Sequence, residues 1–173
     1  AELGLANRQM DFLMDFFGAV IADRRCIPRD DLATALCNAR DENGPLNDHE
    51  IATVAIGLFG AGFETTAHMI GNGLLSLAKF PEQWTKLVAN PSLAESAVEE
   101  ILRYESSLVG TNRTAFTDTE VGGKIVHAGE RVLTLVAAGN RDPAMFADPD
   151  RFDIERKGPK HHSFGGGIHF CVG

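Results

Sequence analysis

A mainly α-helical fold with a small antiparallel β region is what this sequence predicts, and three observations carry that expectation. Apolar residues recur at three- and four-residue spacing through the first half of the chain. After Tyr104 the texture changes to alternating and β-branched runs separated by glycine turns. From Asn140 to Lys160 the chain is rich in Pro, Asp and Arg and has little periodicity, as an ordered irregular loop would.

The elements follow in order. Leu13, Phe16, Phe17, Val20 and Ile21 give a first helix one apolar face, and Cys26-Ile27-Pro28 breaks it. Asp30-Asp31 starts a second helix through Leu32, Leu36 and Cys37, and residues 41–45 form a loop. Asn47 followed by Glu50 reads as the start of a long apolar helix through Ile51, Val54, Ile56, Leu58 and Phe59, continuing past Met69. Gly57, Gly60 and Gly62 lie inside it. Each costs about 1 kcal/mol relative to Ala in a helix interior, so they imply close approach of a bulky neighbour or a local opening of the helix. Pro81 opens a helix through Trp84, Leu87 and Val88, and Pro91-Ser92 begins another, with Ser92 and Glu95 spaced as a capping box. Thr111–Phe116 and Lys124–Val136, with turns at Gly122-Gly123 and Ala128-Gly129, predict a small antiparallel sheet.

The chain has 173 residues, 44% hydrophobic and 23% charged, which suits a single globular domain rather than a disordered chain. Its 24 acidic and 16 basic side chains leave a net charge of −8, which argues against a nucleic-acid binder. Eleven of the cations are Arg, and Arg113, Arg131, Arg141, Arg151 and Arg156 fall in the last third, where forked hydrogen bonding is expected. Cys26, Cys37 and Cys171 form neither a disulfide framework nor a paired metal motif, so a reduced, cytoplasmic setting is expected. The longest apolar stretch, Ile51–Phe63, stops at Glu64, short of the roughly twenty residues a membrane span needs. No signal peptide is visible at the start.

Three constellations carry chemistry. In Phe164-Gly165-Gly166-Gly167-Ile168-His169-Phe170-Cys171-Val172-Gly173, the glycines let backbone pass close to a flat ligand, with amides able to stabilise a Cys171 thiolate. Competing readings are a phosphate loop, which lacks its Lys-Ser/Thr ending, a zinc site from His161, His162, His169 and Cys171, or a plain structural loop. Glu100 and Arg103 share one helix face among apolar neighbours, which fits a partly buried pair or an ordinary surface bridge. Ala61-Gly62-Phe63-Glu64-Thr65-Thr66 sets an acid beside an alcohol in an apolar helix. The threonines bond back to the preceding turn, or the pair holds water and moves protons.

In this order the motifs resemble those of the cytochrome P450 family, the haem-thiolate monooxygenases, of the soluble bacterial type. Phe164, Gly165, Gly167, His169, Cys171 and Gly173 match the haem-loop signature, Glu100 and Arg103 the Glu-x-x-Arg motif, and Ala61, Gly62, Glu64 and Thr65 the oxygen-binding helix. Gly129-Glu130-Arg131-Val132, Asn140-Arg141-Asp142-Pro143 and Phe152-Asp153 resemble the family's strand and meander. The resemblance implies a partial P450 fold in a single domain over residues 1–173, incomplete at both ends. Its helical part is about 1–105, with the oxygen-binding helix at about 47–78, and its β, meander and haem-loop part is about 106–173.

The resemblance also implies roles. Cys171 is the thiolate ligand of a haem b iron, Phe164 shields the sulfur, and Gly165 and Gly167 let the loop approach the porphyrin. Ala61 and Gly62 lie against the cofactor, while Arg113 and His169 donate to its propionates. Glu100 and Arg103 form a buried ion network with Arg151 as first choice for its third member and Arg156 as the runner-up. Glu64 and Thr65 are catalytic, the alcohol steadying bound oxygen and its water and the acid relaying protons. Phe59, Phe63, Leu108 and Val109 are candidate contacts of an apolar small-molecule substrate, and for Phe63 and Leu108 core packing is the equal alternative. The implied reaction inserts one atom of O2, with electrons from NAD(P)H through a reductase and a ferredoxin. A peroxide-using relative and a non-catalytic haem- or metal-binding module are the alternatives, and no nucleic-acid or membrane partner is implied.

Overall fold

The computed structural model describes the backbone of residues 2–173 and the side chains of residues 7–173. By packing the chain divides into two units, the first ending at Glu64 and the second running Thr65–Gly173. The boundary falls inside a helix, well ahead of the change of sequence texture near residue 105.

In the first unit, helix α1 spans Glu2–Cys26 and stops just before Pro28, with Ile27 N donating to Asp23 O at 2.7 Å. Asp31 caps α2 (Leu32–Cys37), its carboxylate accepting from Thr34 N at 2.9 Å. That amide, with Arg24 as the next cause, holds the Asp31 carboxyl down at about 2. Where a plain loop is expected, β1 (Arg40–Asp41) and β2 (Gly44–Pro45) form a minimal antiparallel hairpin, turned by Gly44 at φ +123°. Asn47 and Glu50 cap α3 (Asp48–Lys79) reciprocally: Asn47 N donates to Glu50 Oε2 at 2.8 Å and Glu50 N to Asn47 Oδ1 at 3.0 Å. Ile21, Ile51 and Ala52 form the core, packed by Met14, Phe17, Leu36, Cys37 and Leu46. Phe16, expected on the same face, is largely exposed and meets Phe17 edge-on.

Helix α3 runs unbroken through Gly57, Gly60 and Gly62, so the local opening allowed by the sequence does not occur. A Cβ at any of the three would meet no described atom within 4 Å, so the close approach of a bulky neighbour does not occur there either.

The second unit is built on Leu77, Ala97, Ile101, Phe152 and Ile154, packed by Met69, Phe80, Leu87, Leu93 and Tyr104. Gly73 of α3 is buried against Ile101, whose Cδ1 would lie 2.9 Å from a Cβ, so close helix approach requires glycine there. Pro81 opens α4 (Pro81–Ala89). The expected Ser92–Glu95 capping box does not form. Asn90 instead caps a 3₁₀ turn at Pro91–Leu93, accepting from Ser92 N and Ser92 Oγ, and α5 starts at Ala94 and ends at Tyr104.

The β region is two separate antiparallel pairs rather than one sheet. β3 (Thr111–Thr114) pairs with β6 (Arg131–Thr134), and β4 (Thr119–Val121) pairs with β5 (Lys124–Val126) across Gly122-Gly123. A short α6 (Val136–Gly139) leads into the irregular segment. No described helix is long and apolar enough to cross a membrane.

Candidate functional site

The loop from His162 to Cys171 closes on itself. Gly165 N donates to His162 O at 2.8 Å, Phe170 N to Gly167 O at 3.1 Å, and Cys171 N to Phe164 O at 2.9 Å. Gly165 and Gly167 hold φ of +72° and +63°, a region that other residues reach only with strain. Phe164 and Phe170 pack edge-on, with centroids 6.3 Å apart. Cys171 is exposed, and its Sγ donates to Gly173 O at 2.9 Å. Among the described residues, nothing lies within 4 Å of where a Cβ at Gly166 or Gly167 would sit, so a flat ligand has access to that backbone.

Beside this loop lies an open cleft of about 290 Å³, lined by Thr111, Arg113, Thr134, Val136, His162 and Gly165 among others. Arg113 is thereby brought to the glycine loop. Its Nη1 bonds only within its own strand, to Asn112 O at 2.8 Å and more weakly to Thr111 Oγ1. His169, on the 3₁₀ turn Gly167–His169, is exposed and does not line this cleft. A glycine backbone and a forked cation at this cleft, with the soft sulfur of Cys171 on the same loop, make a donor set that fits a haem and its propionates. Among the described residues, His161, His162, His169 and Cys171 do not converge as a metal-ligand group.

The second constellation is buried. Glu100 and Arg103 are each 3% exposed on α5. Arg103 grips the carboxylate with two prongs, Nε to Oε2 at 2.7 Å and Nη2 to Oε1 at 2.9 Å. Its other hydrogens go to the carbonyls of Asn140 (2.9 Å), Pro149 (2.8 Å) and Arg151 (3.2 Å). The third member of the network is Arg156, whose Nε lies 3.1 Å from both Glu100 oxygens. This corrects the first choice of Arg151: its side chain is exposed, turns to Asp153 at 3.4 Å, and only its carbonyl faces the network. The reason is the anchoring of Phe152 and Ile154 in the core, which turns the intervening backbone inward and the Arg151 side chain out. Arg156 then folds back, donating also to the carbonyls of Ala147, Asp148 and Arg151.

A larger cavity of about 380 Å³ adjoins this network, lined in part by Glu95, Glu99, Lys160 and His161, and includes nothing of the 165–171 loop. The His161 side chain is only 5% exposed, with Nε2 3.3 Å from Glu99 Oε2 but out of line for a hydrogen bond, while Nδ1 accepts from Ser163 N at 3.1 Å. Burial pushes the His161 pKa down, against the partial upward pull of Glu99.

On α3, Ala61, Gly62 and Glu64 are exposed and Thr65 is half-buried. Phe59 and Phe63, one turn apart, stack with centroids 6.3 Å apart and planes 9° from parallel, both largely exposed. Leu108 and Val109 are exposed on the segment after α5.

Nothing in the sequence singles out Ser106 or Ser163, and Asn140 stands out there only as the first residue of the meander-like Asn140-Arg141-Asp142-Pro143. Asn140 is fully buried. Its Nδ2 donates to Ser163 Oγ at 2.9 Å and to Ser106 Oγ at 3.2 Å, and its Oδ1 accepts from His162 N at 2.7 Å. The available signal was the place of Asn140, a short polar residue ending the apolar run from Val132.

Comparison with known proteins gives one answer. The cytochrome P450 family matches residues 5–173. The biotin biosynthesis cytochrome P450 of Bacillus subtilis is 42% identical over 160 residues, which is 92% of this chain and 40% of that protein. Linalool 8-monooxygenase of Pseudomonas putida is 38% identical over 161 residues, 92% of this chain and 39% of that protein. The solved structure of cytochrome P450 CYP109Q5 from Chondromyces apiculatus superposes with a TM-score of 0.92 at 40% identity, covering 98% of this chain and 44% of that one. The chain thus spans less than half the length of these relatives. With the motifs, the loop and the fold in agreement, the chain belongs to the cytochrome P450 family.

Proposed function

We propose that this chain carries the cofactor loop and proton-delivery helix of a haem-thiolate monooxygenase, which inserts one atom of O2 into an apolar small molecule. The observation that carries this reading is the exposed Cys171 sulfur at the end of a self-closed glycine loop. When bound, haem b supplies the iron at which O2 is reduced and activated. Cys171 gives up its thiol proton and binds as the thiolate, with Phe164 keeping water from the sulfur. Arg113 pairs with a propionate, its fork matching two carboxylate oxygens. His169 serves the other propionate, and Gly165, Gly167, Ala61 and Gly62 leave room for the porphyrin.

Glu64 exchanges protons with solvent at its carboxylate, and Thr65 Oγ1 holds the water through which they pass inward. Phe59, Phe63, Leu108 and Val109 offer apolar surface to the substrate. Electrons come from NAD(P)H through a reductase and a ferredoxin, in the cytoplasm.

The test is the spectrum of the reduced, CO-bound full-length protein. A strongly red-shifted Soret band is expected, and bound haem without it would overturn the thiolate assignment. Thr65→Ala in the same protein is expected to keep consuming NAD(P)H while releasing peroxide in place of product. Unchanged coupling would instead favour a peroxide-using enzyme.

A further inference from the structure

The haem-loop reading leaves open what holds the loop's stalk, residues 162–163, against the rest of the second unit. The hydrogen bonds around Asn140 hold it, and each runs in one direction. Ser163 Oγ donates its one hydrogen to Leu102 O at 2.6 Å. Ser106 Oγ, 2.6 Å from Ser163 Oγ, must therefore be the donor of that pair. The two hydroxyl oxygens are then acceptors, which is what the two Nδ2 hydrogens of Asn140 require. Oδ1 is left for the backbone N–H of His162, the shortest of the three contacts.

The amide orientation is thus fixed, and all three polar contacts are made by a side chain that is itself fully buried. The carbonyl of Asn140 meanwhile accepts from Nη1 of Arg103, the guanidinium whose Nε and Nη2 are gripped by Glu100.

We propose that Asn140 is a positioning residue for the Cys171 loop, fixing its stalk to the end of α5 and to the Glu100–Arg103 network. Its role in ligation rests on the haem-thiolate reading, whereas the anchoring itself does not. The isostere aspartate cannot substitute, because it removes both donors and buries a charge among hydroxyl oxygens. Loss of the side chain frees the His162 amide, leaves the Ser106 oxygen without its donor and removes one of the two donors to the Ser163 oxygen.

The test uses the full-length protein carrying this chain, with hydrogen exchange read at residues 160–173 and spectra read on the haem-loaded form. In Asn140→Ala, exchange at the His162 amide is expected to rise roughly tenfold or more, the equivalent of losing one buried hydrogen bond, while α5 amides keep their rates. Ser163→Ala retains the Asn140–His162 bond and is expected to leave that amide protected. Equal loss of protection in both variants, or none in Asn140→Ala, would overturn the proposal. Should Asn140→Ala fail to fold, the unsubstituted protein decides: His162 must exchange far more slowly than Gly166, and equal rates would remove the anchor.

On haem-loaded protein, Asn140→Ala is expected to lower the share of haem giving the red-shifted CO band severalfold, with haem content measured separately. An unchanged share would overturn the positioning role. If the unsubstituted protein binds haem but lacks the band, the thiolate reading fails and the exchange result still decides the anchor.

Discussion

Glu100 holds two guanidinium groups on one carboxylate and also accepts from Asp153 N at 2.9 Å, so every lone pair facing the interior is used. Removing one partner from such a buried set leaves charge without compensation, which is worse than never having buried it. Arg156→Ala is therefore expected to cost about 3 kcal/mol of stability. Arg151→Ala, which keeps the carbonyl and loses only an exposed bridge, should cost about 1 kcal/mol or less. Chemical denaturation of the full-length protein distinguishes them, and equal effects would show that the network does not depend on Arg156. Spacing along the chain made the Glu100–Arg103 pair legible, because three residues on a helix fix a shared face. It could not choose between Arg151 and Arg156, since nothing periodic in an irregular segment says which side chain turns inward. Asn140 was illegible for a related reason: its partners at 102, 106 and 162–163 meet only through the tertiary fold. His161 gives a pH dependence of defined sign. Its folded pKa lies below the unfolded value of 6.5, because burial disfavours the charged ring. The stabilising contribution is complete above the unfolded value and is lost as pH falls through the folded one. Unfolding midpoints should thus drop as pH falls below the unfolded value of 6.5, and drop less in His161→Asn, which keeps an acceptor for Ser163 N. Parallel pH profiles would remove His161 from this role.

Among the elements, helix starts and stops are legible where one signal stands alone, as with the Asn47–Glu50 pair before α3 and Pro28 after α1, and not where two candidates compete. At Asn90-Pro91-Ser92 the asparagine reached the orphan amide first and its carboxamide took the Ser92 hydroxyl, so Ser92 could not act as a cap. The glycines of α3 separate into two kinds that sequence alone does not distinguish. Gly57, Gly60 and Gly62 face open space, whereas Gly73 is where Ile101 of α5 packs closest. Gly73→Ala should gain about 1 kcal/mol in helix propensity and lose about 1–3 kcal/mol to overpacking against Ile101 Cδ1, for a net loss. Ile101→Val removes that Cδ1 atom, so the double variant should be more stable than the two single effects sum to. A thermodynamic cycle measures the coupling. Strict additivity would mean that Ile101 is not what requires glycine at 73.

For the molecule as a whole, the two packed units are joined by one continuous helix, and each has its own small core. Against those cores stand large apolar side chains in water: Phe116, Ile168 and Val172 are 99%, 97% and 87% exposed, and Phe63 and Val109 are 71% and 70% exposed. Apolar surface left in water contributes nothing to folding at about 25 cal/mol per Å², while the backbone entropy of ordering these segments is still opposed at about 1–2 kcal/mol per residue. The polar network around Glu100 fixes local geometry, yet a buried network is weak support for net stability. It follows that residues 1–173 expressed alone should fold only marginally. They should bind a hydrophobic dye strongly, melt over a broad range, and take up haem at well below one equivalent. Differential scanning calorimetry, dye fluorescence and haem titration check this together. A single sharp transition with calorimetric and van't Hoff enthalpies equal, no dye binding and stoichiometric haem uptake would show that the two cores suffice and that the exposed faces carry no such cost.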